Sequence, residues 1–195
     1  MSMKPRTVLQ LSFKEYTEAW VSVIYEFYQQ GVCSEELQQE MSLTEDQMSQ
    51  FSLEYGTVLL TAAILCMDAK PKLVVDRAKT ELINSIVRSF YSRMIADADE
   101  QTLDSCKKFF DTKMLIFGQI CRNIYSTNPQ KRQTDALGFA RYILSQVSDR
   151  NEEENTGALK ELGILITSAS DAFIRLVINS AQNSTGNKPS FSVQK

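Results

Sequence analysis

The side chains able to do chemistry near neutral pH are 24 Asp and Glu, 21 Lys and Arg, and four cysteines; the 195 residues contain no histidine. That absence removes Ser-His-Asp and Cys-His catalysis, histidine-ligated zinc and haem, and a histidine pH switch. The cysteines, at 33, 66, 106 and 121, form no C-x-x-C pair. Cys106 and Cys121 fall on one predicted helix, roughly 22 Å apart along its axis, so they cannot bond to each other. With Cys66 they sit on apolar stripes and read as small buried hydrophobes, whereas Cys33, close to Gly31, is the candidate for an exposed thiol. Nucleotide cradles and nucleophile elbows are missing as well: no G-x-G-x-x-G, G-x-x-x-x-G-K-[ST] or G-x-S-x-G occurs.

Metal chemistry would have to rely on carboxylates. Asp97, Asp99, Glu100 and Asp104 suggest a calcium loop, but its sixth position is Thr102 instead of glycine and its twelfth is Lys108 instead of glutamate. Before and within the first turn of a helix these acids have a plainer role, favouring its positive end. Glu15-x-x-Glu18 supplies half of a magnesium-binding pair of motifs, and no Glu-x-x-Asp follows to supply the other half. A carboxylate-metal (Mg) enzyme is therefore the third of three functional readings, and no resident cofactor is expected.

Charge is strongly segregated. Residues 15–69 hold ten acidic and no basic side chains, the first 14 residues hold three basic ones, and residues 70–195 hold 18 basic against 14 acidic, for a net charge of −3. The acids are densest at Glu35, Glu36, Glu40, Glu45 and Asp46, a candidate interaction face for a basic protein partner. Simple solvation of that face, or its pairing with basic segments of the same fold, is the plainer explanation. Residues 35–54 also suit two short helices joined by a tight turn, the outline of a DNA reader. The second of these helices carries Glu45, Asp46 and Glu54 without a cation, so phosphate would repel it. Lys131 and Arg132 at a helix start, with Arg122 and Arg141 elsewhere, amount to no more than a weak anion site. A membrane is not an expected partner either, because the most apolar run, residues 57–67, is about half a bilayer span. Residues 1–13 lack the apolar core of a signal peptide, which points to the cytoplasm.

The second functional reading is a ligand-sensing bundle with an apolar pocket between helices. Its candidate lining is Phe90, Met94, Phe110, Met114, Phe117 and Cys121, which would take an apolar small molecule. A filled core has the same composition. Tyr25 falls off the inner stripe of its helix and is the candidate exposed aromatic contact.

Helices must position all of these residues, because apolar side chains recur at helical spacing in every long segment and none alternates in the strand manner. The spacing predicts helices over 12–31, opened by a capping box Ser12-x-x-Glu15, over 34–41, and from the capping box Thr44-x-x-Gln47 to residue 70. Further helices are expected from Pro71 through Met94, over 99–126 with Asn128-Pro129 as terminator, over 131–148, and over 158–182 after a polar loop. Leu103, Phe110, Phe117 and Ile124 are spaced by seven, which suits either a short seam in a homodimer or packing inside one chain. The last helix is apolar on most sides and belongs in the middle. The expected fold is all-α, a single-domain bundle of six or seven helices with a largely buried C-terminal helix. It spans 12–182 between an N-terminal arm (1–11) and a flexible tail (183–195). The first functional reading is a non-catalytic interaction or regulatory protein that binds through helix faces.

Overall fold

Seven α-helices build the part of the chain that this computed structural model describes, residues 13–68, 76–120, 123–126, 128–149 and 153–184. They are α1 (Phe13–Val32), α2 (Glu35–Met41), α3 (Glu45–Asp68), α4 (Asp76–Met94), α5 (Glu100–Ile120), α6 (Pro129–Val147) and α7 (Thr156–Ser184). No strand occurs among the described residues, and the architecture is the expected all-α bundle. The 1–11 arm, the Ser12 capping box, Pro71, Cys121 and most of the tail lie outside the described residues.

Local signals start the helices. The Leu37 amide donates to Ser34 Oγ at 3.1 Å and caps α2. Thr44 and Gln47 exchange the two bonds of a capping box: the Gln47 amide donates to Thr44 Oγ1 at 3.3 Å, and the Thr44 amide to Gln47 Oε1 at 3.0 Å. Asp99 Oδ1 accepts from the Thr102 amide at 2.8 Å at the start of α5, and hydrogen bonding to Thr102 holds its carboxyl below the ordinary range. The Asn-Pro pair acts in the opposite sense to the sequence expectation. Asn128 Oδ1 accepts from the amides of Gln130 (3.0 Å) and Lys131 (3.4 Å), with Pro129 in the first helical position, so the pair opens α6 instead of closing α5. Helix α5 ends earlier, at Ile120. Ile124 continues the spacing of seven as a fully buried side chain in a turn, not as part of the helix.

Helix α1 ends beside Gly31, as expected. The helix runs through it to Val32, and the glycine lets the fully buried Tyr55 of α3 pack against the α1 backbone. A Cβ at Gly31 would collide with the Tyr55 ring, coming within 2.6 Å of Cζ and 2.8 Å of the hydroxyl oxygen. Tyr55 cannot swing aside, because it stacks on Phe51 at 5.5 Å and its hydroxyl donates to the Phe27 carbonyl at 3.1 Å. Gly31→Ala is expected to cost about 1–3 kcal/mol of stability through overpacking. Chemical denaturation of the variant would measure it, and an unchanged midpoint would contradict this packing.

The C-terminal helix is a core element as expected. Helix α7 buries Ala158, Leu162, Ile166, Ala169 and Phe173 completely and packs against α6, α3, α1 and α2. Helix α3 lies deeper still, with 13 of its 24 residues buried, because Gly56, Ala62 and Ala63 let neighbours approach on several sides. Its threonines satisfy their hydroxyls internally: Thr57 donates to the Leu53 carbonyl (2.7 Å) and Thr61 to the Thr57 carbonyl (2.9 Å). By length and composition α3 is apolar enough to cross a membrane, but 72% of its most apolar window is buried inside the bundle. Aromatic contacts join the layers: Phe173 meets Trp20 at 6.0 Å and Phe27 at 6.1 Å, and Phe90 meets Tyr28 at 5.6 Å. The apolar stripe of α5 (Leu103, Phe110, Phe117) is buried within this chain, together with Ile124.

Candidate functional site

The five acidic residues singled out from the sequence are all exposed, three on α2 and two at the start of α3. Glu35 and Glu36 occupy the first turn of α2, and Glu45 and Asp46 the first turn of α3, three residues after α2 ends. Each stabilises a positive helix end by roughly 0.3–1 kcal/mol. Glu40 reaches across to α7, where its carboxylate lies so close to Gly157 that a Cβ there would collide with it. The fold also adds acids that the sequence places far away. Gln47 Nε2 donates to Asp149 Oδ2 at 3.3 Å, across 102 residues of sequence, which sets the α6–α7 connection, with its exposed Glu153 and Glu154, against the start of α3; with Glu40 against Gly157, this junction is the acidic corner. Nothing in the local sequence signals that junction, because it depends on how α6 and α7 pack.

A second cluster lies in the interior, and the sequence reading missed it. Lys113 Nζ donates to Glu54 Oε1 at 2.5 Å and to the Tyr142 hydroxyl at 2.8 Å, and it lies 5.1 Å from the Phe109 ring centroid. The Glu54 side chain is 3% exposed and that of Lys113 12%, and Glu54 Oε2 is buried without a hydrogen-bond partner among the described residues. Burial alone would lower the Lys113 pKa. Hydrogen bonds to Glu54 and Tyr142, together with the Glu54 charge, outweigh that and hold it above the ordinary lysine value. Beside the cluster, the Thr57 and Tyr91 hydroxyls share a hydrogen bond of 2.7 Å, and burial pushes the Tyr91 phenol far up. A signal was available: Leu103, Cys106, Phe110, Lys113 and Phe117 follow one another at spacings of three and four, so the lysine sits on the inward stripe of α5. A protonated amine locked to a carboxylate is no nucleophile, and the pair acts as a positioning device between α3, α5 and α6.

The described part of the candidate pocket lining makes two sets of contacts. Phe90 and Met94 close over Gly56 of α3, with Phe90 meeting Tyr25 and Tyr28 of α1 edge-on. Phe117 instead meets Phe139 (5.3 Å) and Tyr142 (5.2 Å) of α6. Phe110 is buried, Met114 is half-buried, and Cys121 lies outside the described residues. Tyr25 is half-buried and not exposed as expected, because the fold places it between Tyr28, Phe90 and the Arg93 guanidinium, 5.5 Å from its ring. The exposed apolar side chains are elsewhere, with Leu115 the most open at 75%.

Other candidates are also engaged. Arg132 is buried, ion-paired with Asp171 and donating to the Ser126 carbonyl at 2.5 Å, which withdraws it from an anion site at the start of α6. Arg88 takes up both Glu100 and Asp104 of the calcium-like run, and Arg93 pairs with Glu18 at 3.5 Å. Among the described residues no group of three His, Cys, Asp or Glu side chains is close enough to hold a metal ion. Cys33 is exposed, whereas Cys66 and Cys106 are buried; desolvation raises both buried thiols, Cys66 to about 12. No protein-family model, curated protein or solved structure matches this chain. Its functional reading rests on the residues themselves.

Proposed function

We propose that this chain is a non-catalytic protein-binding module whose acidic corner, formed by the starts of α2 and α3 with the α6–α7 connection, receives a basic segment of a partner protein. The observation that supports this reading is the union at that corner of two acidic segments distant in sequence, joined by the Gln47–Asp149 hydrogen bond. Residues 15–69, which supply α2 and the start of α3, contain no basic side chain. Such a field attracts a cationic partner over about a Debye length, some 8–10 Å, and weakens as salt rises.

Reversing charge tests the proposal, with Glu40 left in place against the start of α7 and the cost of lysines in two first helical turns read separately. The triple variant Glu35→Lys, Glu36→Lys, Glu45→Lys is expected to lower recovery of the partner in affinity purification by about tenfold or more, since like charges across an interface cost several kcal/mol. Circular dichroism would establish that the helices persist. Recovery of the same partners at the same yield would remove the acidic corner from the function.

A further inference from the structure

We infer that α5 is a detachable helix, set in register on the bundle by the Lys113–Glu54–Tyr142 cluster, and that it opens as a unit while α3 and α7 stay packed. Four of its 21 residues are buried: Leu103, Cys106, Phe110 and Phe117. More than half of the helix is exposed, including the apolar Leu115 and Ile116. The stripe is broken at its centre by a charged side chain, and the partner of that side chain sits in the most deeply buried helix. At the N-terminal end, the turn before α5 holds Asp97 in left-handed backbone (φ 56°), a non-glycine conformation suited to a joint between α4 and α5.

Energetics favour opening at this seam. A buried ion pair gains little net stability, because two desolvated charges nearly cancel their own attraction. An apolar pair at the same positions would keep its full burial term. When α5 lifts, Lys113 and both Glu54 oxygens regain water, including the oxygen that is unpartnered in the closed form. The pair therefore fixes the register of α5 while lowering the cost of releasing it. Low local stability of this kind marks elements that open sub-globally.

Hydrogen exchange of the native, full-length chain, read by mass spectrometry on peptides from α5 and α3, tests this directly. In the wild type, α5 amides are expected to exchange at least about tenfold faster than those of residues 55–64, through an opening that leaves α3 protected. In the double variant Glu54→Leu, Lys113→Met, which makes the seam apolar, α5 exchange should slow by about tenfold. Exchange of α5 and α3 at one common rate in the wild type would overturn the inference, whether or not the double variant folds. An unchanged α5 rate in a folded double variant would overturn the role of the ion pair.

Discussion

Replacing Lys113 alone by methionine is expected to destabilise the protein by about 3–5 kcal/mol, because it strands the Glu54 carboxylate in the interior. The carboxylate cannot turn to water, since its side chain is 3% exposed and its second oxygen already has no partner among the described residues. Adding Glu54→Leu should recover that loss, leaving the double variant as stable as the wild type or more so. Tyr142 is half-buried and can exchange its bond to Lys113 for water. Urea unfolding of the four members of this cycle measures the coupling, and a single-variant cost below about 1 kcal/mol would place the pair in the surface class of ion pairs. The pH dependence has a definite sign. The Lys113 pKa is raised above its ordinary 10.5, so the stabilisation is fully present below pH 10.5 and is lost as pH climbs through the higher folded value. On the alkaline side, the gap between wild type and Lys113→Met should accordingly narrow only in strong alkali.

Phe173→Ala is the other large effect, expected to cost about 3–5 kcal/mol. Phe173 is fully buried on α7 and is the ring on which both Trp20 and Phe27 of α1 rest, so its removal opens a cavity between two helices. The surrounding helices cannot collapse into that space easily, because Trp20 is also held edge-on by Tyr16 at 6.4 Å. Trp20 is the single tryptophan of the chain and is fully buried, so its fluorescence reports the unfolding transition of the variant. A midpoint close to that of the wild type would mean that α1 and α7 are not joined through this ring.

What the sequence disclosed follows the reach of each signal. Capping is local chemistry, and Thr44 with Gln47 acts where the spacing says it should, while Ser34 and Asp99 supply caps at helix starts that were expected without them. Asn128-Pro129 shows the limit of a local signal: the same dipeptide suits the end of one helix and the start of the next, and α5 had already stopped at Ile120. Gly31 stands at its helix end as expected and serves a close helix contact as well, a second role that the local sequence does not show. Lys113 and Glu54 were hidden because an apolar stripe is traced through apolar residues, although both lie on the inward faces of their helices. Tyr25 erred in the other direction, since a residue off the stripe of α1 can still be covered by a neighbouring helix, here α4. The joining of Asp149 to the Glu35–Asp46 corner was beyond sequence reading altogether, because only the packed bundle brings those segments together.

The most direct test of the account is quantitative affinity purification with three proteins side by side: the wild type, the triple charge reversal at Glu35, Glu36 and Glu45, and the interior double variant Glu54→Leu, Lys113→Met. The account predicts that the reversal loses the partner and the interior variant keeps it. Retention by the reversal together with loss by the interior variant would contradict it and move the function from the acidic corner to the centre of the bundle.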